Sequence, residues 1–199
     1  MNQLNHPIVE QSFTIIDREV GEHHLNSSEY AIARRVIHAT ADFEYLKLLQ
    51  FSPNAIEAGI DYLKQGLPIV TDVNMVKQGI AGLVGKTFDN PIISAIDQAQ
   101  TAEPGKTRTE TGMLRCYEKY PQALYLIGNA PTALLALCEL ADRRKPALVI
   151  GVPVGFVAVI ESKNALLELN APYITIEGRK GGSPAAAAIL NSLLILAAD

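Results

Sequence analysis

The sequence predicts an α/β domain: a doubly wound sheet of about five mainly parallel strands with helices on both faces. Three observations carry this. From Pro68 onward, short runs of β-branched and aliphatic residues alternate with longer stretches of helical apolar spacing. The strand-like runs lead into helices through turns rich in Gly, Pro and Asn. A length of 199 residues, 48% of them hydrophobic, fits one compact domain with a two- or three-layer core, so residues 1–199 read as a single domain.

The first third is helical. Val9–Glu19 carries Phe13, Ile15 and Ile16 and forms a helix packed on the domain. Asn26 with Glu29 three positions on is close to a capping box, opening a helix with Ile32, Val36 and Phe43 along one stripe. That helix ends near Thr40–Asp42, and a second helical piece runs through Leu49. Pro53–Lys64 places Ile56, Ile60 and Leu63 on one face and stops at Gly66.

Then the alternation begins. Pro68–Val73 is a buried strand, with a helix from Asn74. Pro91–Ile96 is a second strand, followed by a helix over Thr107–Lys119. Ala123–Ile127 leads through Gly128–Thr132 into the helix Ala133–Arg143. Ala147–Ile150 leads through Gly151–Gly155 into a helix reaching Leu169. Pro172–Ile176 leads through Gly178–Pro184 into an Ala-rich last helix. Right-handed crossovers narrow the topology to a flavodoxin-like sheet. Gly82–Lys106 is the most irregular segment and reads as a mobile loop over a site.

Several function classes are disfavoured. A net charge of −4 and the lack of a long basic run argue against nucleic acid. The segments 147–160 and 183–198 are too short for a membrane span, and Met1–Pro7 lacks the features of a signal peptide, so the expected location is cytoplasmic. Cys116 and Cys138 have no zinc or redox spacing and read as buried reduced thiols, and no metal site assembles.

The candidate catalyst is His38, with Arg34 and Arg35 four and three residues before it on a helix. Histidine alone titrates near neutrality without a perturbing environment. His6, His23 and His24 lack such company. Three strands end in glycine-rich turns feeding helix N-termini, which are anion sites, and the last adds Arg179, Lys180 and Ser183. Neither a P-loop nor a dinucleotide fingerprint nor a nucleophile elbow is present. Asp72, closing the first parallel strand, is a candidate for the ligand edge. Glu161-Ser162-Lys163 reads as a solvated helix face. Together these residues fit a polycarboxylate ligand acted on by one acid or base.

In order along nearly the whole chain, several segments resemble the precorrin-8X methylmutase family of corrin biosynthesis. They are Glu10–Ile16, Arg35–Ala39, Pro68–Asp72 with Met75-Val76, and Thr107–Thr109. The most specific are Ile127–Leu134, Gly151–Val157 with Glu161-Ser162-Lys163, and Gly178-Arg179 with Gly181-Gly182-Ser183. Lys180 departs from the neutral residue of some relatives.

The resemblance implies an isomerisation that moves a methyl group from C11 to C12 of the macrocycle, giving hydrogenobyrinate, or cobyrinate when cobalt is present. It implies no cofactor, any cobalt being carried by the substrate, a flavodoxin-like fold and a homodimer with sites near the interface. His38 matches the catalytic histidine, and Ser12 and Arg35 match substrate-contacting positions. Arg108 and Arg179 are expected to clamp substrate carboxylates. Asn129, Thr132, Gly155, Gly181, Gly182 and Ser183 are expected to line the same site. Two alternatives stand beside this: a corrinoid carrier that does no chemistry, and an FMN-binding protein.

Overall fold

The computed structural model describes residue 4, residues 6–141 and residues 143–199. Most of the polar lead read for a signal peptide therefore lies outside the described residues. Helices α1 (Pro7–Val20), α2 (Ser27–Thr40) and the short α3 (Tyr45–Leu48) come first. Strand β1 (Leu49–Phe51) and helix α4 (Ala55–Lys64) follow. The alternating part runs β2 (Ile69–Thr71), α5 (Asn74–Val84), β3 (Ile92–Ser94), a 3-10 turn (Ala95–Gln98) and α6 (Arg108–Lys119). It continues with β4 (Leu124–Ile127), α7 (Pro131–Ala141), β5 (Leu148–Gly151), α8 (Val159–Leu167), β6 (Tyr173–Ile176) and α9 (Ser183–Ala198).

The sheet has six strands in the order β1-β6-β5-β4-β2-β3. Five are parallel; β1 joins antiparallel, Leu49 facing Ile176 and Phe51 facing Ile174. Numbered along the chain, the five parallel strands lie in the order 2-1-3-4-5, the flavodoxin-like arrangement the alternation predicts. The sixth strand is new. Leu49-Gln50-Phe51 follows directly on α3, and only pairing with β6, far along the chain, makes these residues a strand.

Side chains alternate across the sheet, as the pleat requires. Ile69, Leu124, Leu126, Leu148, Ile150, Ile174 and Ile176 face a core built with α1, α2, α4, α5 and α9. Val70, Tyr125, Ile127 and Val149 face the other, built with α6, α7 and α8. Helix α9 is central to the first layer, and its run Ala185–Ala188 is buried. Small side chains let neighbours approach closely: a Cβ on Gly128 would lie 2.9 Å from both Ala186 Cβ and Ser183 Cα. Ile189, Leu190 and Leu193 are fully buried beyond them, each worth about 1.5–3 kcal/mol relative to exposure.

Four local expectations change. Phe43 leaves its stripe: α2 ends at Thr40, Ala41 turns left-handed at φ 54, and Phe43 is exposed. The predicted loop 82–106 contains the end of α5, strand β3 and a 3-10 turn packed on α6. Cys116 is buried as expected, but Cys138 is only half-buried, and no disulfide joins them. Ser162 and Lys163 are buried rather than solvated, while Glu161 is exposed.

Candidate active site

His38 lies in the last turn of α2. The helix is opened by a complete capping box: Asn26 Oδ1 accepts the N–H groups of Ser28 and Glu29 at 3.0 Å, and Glu29 accepts that of Asn26 at 3.0 Å. Helix α1 lies beside it, so that Ser12 Oγ and His38 Nδ1 form a hydrogen bond of 2.8 Å. The Phe13 ring meets the imidazole edge-on, with centroids 5.6 Å apart and planes at 80°.

Both arginines stack on Phe13, with Cζ 4.3 Å (Arg34) and 5.4 Å (Arg35) from its centroid. Their tasks differ. Arg34 is paired with Asp17 at 2.9 Å, and the Tyr30 hydroxyl donates to the same carboxylate at 2.6 Å, bracing α1 against α2. Arg35 acts on His38: burial first, and then the Arg35 charge, hold the imidazole below the ordinary histidine range. In the free protein the ring is therefore mainly neutral at pH 7. With Nδ1 engaged by Ser12, Nε2 meets no protein partner among the described residues.

The segment after α2 ties this group to the last strand–helix turn. Lys180 Nζ pairs with Asp42 Oδ2 at 2.5 Å and with Glu44. The hydrogen bond from Lys180 is the main cause that lowers the Asp42 carboxyl below its usual range. The Tyr45 hydroxyl donates to Gly181 O at 3.3 Å. Lys163, 3% exposed, donates to Gly178 O at 2.8 Å and Lys180 O at 2.6 Å, and burial lowers its ammonium to about 8. Gly182 N–H bonds Val152 O at 2.9 Å. A Cβ on Gly181, at φ +150, would lie 2.2 Å from that same oxygen, so no other residue fits there.

The predicted site residues thus fall into three groups. Ser12, Arg35 and His38 are together. Gly155, Arg179, Gly181, Gly182 and Ser183 are together, Gly155 N–H reaching Arg179 O at 3.4 Å, and Lys180 ties this group to Asp42, four residues after His38. Asn129, Thr132 and Arg108 form a third cluster beyond β4, where Thr132 Oγ1 bonds Thr107 Oγ1 at 2.9 Å. Among the described residues no hydrogen bond links it to His38.

The turn after β4 differs from expectation. Its anion comes from the chain itself: Asp72 Oδ1 accepts from Val73 at 2.9 Å and Gly128 at 3.2 Å, and Oδ2 from Asn129 at 2.7 Å and Ala130 at 2.8 Å. Burial pushes this carboxyl up and the four donors pull it down. The crevice between β2 and β4, where doubly wound proteins take ligands, is thereby filled by an internal carboxylate. Any bound anion must go elsewhere on the edge, and a flavin phosphate loses its seat.

Sequence reasoning missed Lys163, Asp42, Glu44 and Tyr45. Lys163 was findable: it lies four residues after Val159 and three before Leu166, on the buried face of α8. Among the described residues no cluster of His, Cys, Asp and Glu fits a metal, and no helix is long and apolar enough to cross a membrane. A cavity of about 520 Å³ between α6 and α7, lined by Arg115, Tyr117, Leu140 and Arg143 among others, holds none of the predicted residues.

Comparison with known proteins supplies the remaining finding. A family model described as precorrin-8X methylmutase matches residues 7–196. A cobalt-precorrin-8 methylmutase of Synechocystis is 59% identical, over 99% of this chain and 98% of that protein. A precorrin-8X methylmutase of Sinorhizobium is 37% identical, over 94% of this chain and 92% of that protein. The crystal structure of a precorrin-8X methylmutase from Thermus thermophilus superposes with a TM-score of 0.88 at 41% identity, covering 96% of each chain. Since match and fold agree over nearly every residue, the chain belongs to the precorrin-8X methylmutase family.

Proposed function

We propose that this protein moves a methyl group from C11 to C12 of precorrin-8 or its cobalt form, with His38 as general acid. The observation that carries the reading is the 2.8 Å bond between Ser12 and His38 Nδ1, which fixes the ring and leaves Nε2 open beside Arg35.

The substrate is a flat ring fringed with acetate and propionate groups. Its carboxylates meet Arg35, Arg179 and Arg108, bidentately where geometry allows. A neutral His38 gains a proton as those carboxylates arrive, because nearby anions favour the imidazolium. Imidazolium Nε2–H then protonates or hydrogen-bonds the conjugated ring near C11. Electron density leaves the migrating centre, the methyl group shifts, and loss of the same proton restores conjugation. No atom is gained or lost. Acid assistance of this kind is worth about 10²–10⁴-fold. No cofactor enters this scheme, and any cobalt arrives as part of the substrate.

A homodimer acting in the cytoplasm completes the reading. Its support is apolar surface at the site: Phe156 and Val157 are each 84% exposed, and Phe156 lies 5.6 Å from the Arg179 guanidinium. A second copy seated there would shelter the ring of the substrate from water.

An absorption spectrum of the purified protein mixed with precorrin-8 separates enzyme from carrier. Conversion to the corrin chromophore, lost in His38→Ala, is the expected result. A bound spectrum identical in the two proteins would leave a corrinoid carrier instead.

A further inference from the structure

Phe13 is buried, and the mechanism above gives it no task beyond filling space. Its surroundings are not those of an ordinary core residue. The Arg34 guanidinium lies over its ring at 4.3 Å and that of Arg35 at 5.4 Å, and the His38 imidazole meets it edge-on at 5.6 Å. Leucine or isoleucine would bury as much apolar surface there. Only an aromatic ring adds a flat wall and a negative face.

Two adjacent residues of α1 thus act on one histidine. The Ser12 hydroxyl bonds Nδ1 at 2.8 Å, and Phe13 stands at the side of the ring. One turn further along α1, Asp17 pairs with Arg34 at 2.9 Å and keeps that guanidinium over Phe13. Arg35 is held differently. Burial counts most against its cation, Glu10 on α1 counts for it, and the neighbouring Arg34 charge counts against it. A long side chain beside a like charge turns its head to water unless something holds it. The face of Phe13 attracts the guanidinium without taking any of its N–H donors, so the planar fork keeps the geometry that suits a carboxylate.

We propose that Phe13 is a positioning residue: its face holds the Arg35 guanidinium next to His38, and its bulk fixes the plane of the imidazole. A carboxylate of the macrocycle seated on Arg35 then lies at a set distance from Nε2. The identity of that substrate rests on the functional reading above; the placement of Arg35 by Phe13 does not.

The test separates face from bulk. A phenylalanine trifluorinated on its ring, incorporated at position 13, keeps nearly the same shape but loses the negative face. Phe13→Leu loses both. Thermal unfolding establishes that each variant is folded. In the free protein, nitrogen relaxation of the Arg35 Nε–H reads how firmly the guanidinium is held, with exposed Arg18 as the mobile reference. The trifluorinated protein should show Arg35 shifted toward the Arg18 value. In steady-state conversion of precorrin-8 its KM should rise about fivefold, with kcat within about twofold of wild type because the imidazole keeps its wall. Phe13→Leu should show the same loss in KM and, in addition, a kcat lowered about tenfold.

A trifluorinated protein with wild-type Arg35 mobility, or with wild-type KM, overturns the proposal and leaves the functional reading intact. Should Phe13→Leu fail to fold, the trifluorinated protein decides alone. If wild type converts no precorrin-8, the functional reading falls, and Arg35 mobility in the free protein still confirms or overturns the part given to Phe13.

Discussion

At His38 the protein sets two influences against each other. Burial beside Phe13 and the Arg35 charge disfavour the imidazolium, and on the proposed function an arriving polyanion would favour it. Replacing Arg35 by Met removes the repelling charge, so the His38 pKa of the free protein should rise, as an NMR titration of the imidazole would read. The acid form declines as pH rises through this pKa, so kcat/KM should fall there, at a pH below the ordinary histidine range. Ser12→Ala keeps the imidazole but frees it to rotate. It should cost roughly 10- to 100-fold in kcat with little change in KM, read from steady-state rates. At this scale the sequence was half legible. Arg34, Arg35 and His38 share a helix face by spacing alone, but Ser12 lies 26 residues away and entered only through resemblance.

Among the elements, the turns at the carboxyl ends of the strands are held by charges that sequence patterning misassigns. Lys163 reads as solvated because lysine seldom goes inside, and its partners on Gly178 and Lys180 are 15 and 17 residues away. Asp72 reads as a ligand residue because it ends a strand, yet its carboxylate is taken up by backbone N–H groups up to 58 residues on. An asparagine side chain at this position would turn an amide N–H₂ toward donors. Asp72→Asn should therefore destabilise the fold by about 2–3 kcal/mol in denaturant unfolding.

Lys163 gives a second stability test. Its folded pKa of about 8 lies below the ordinary 10.5, so between these values the native state binds fewer protons than the unfolded one. The penalty for burying the charge is thus full below pH 8 and relieved as pH climbs toward 10.5. Wild-type stability should gain on that of Lys163→Met across this window, measured by unfolding at fixed pH values. The Lys180 pairs, by contrast, are partly exposed and should matter little to stability; their consequence is alignment of α2 with the last turn.

For the molecule as a whole, strand–helix alternation with right-handed crossovers was enough to reach a flavodoxin-like doubly wound sheet, whereas the order 2-1-3-4-5 of its parallel strands came from the structure. What escaped was β1, three residues whose strand character depends on a partner in the last strand of the chain. The three groups of site residues also required the fold, because they come from α1, α2 and the turns after β3, β4, β5 and β6. The exposed Phe156 and Val157 set the expectation for assembly. Sedimentation should give twice the 21.5 kDa of one chain, and Phe156→Asp should shift the population toward monomer with a parallel loss of turnover.

The central claim is that His38 supplies a proton and not merely a hydrogen bond. Single-turnover conversion of precorrin-8 by His38→Asn, beside its binding followed in the same spectra, addresses this most directly, since asparagine donates a hydrogen bond but has no titrating proton. Binding close to wild type with conversion slowed by about 10²-fold or more is the expected result. Conversion at a rate near that of wild type would show that the methyl shift needs no acid from this residue.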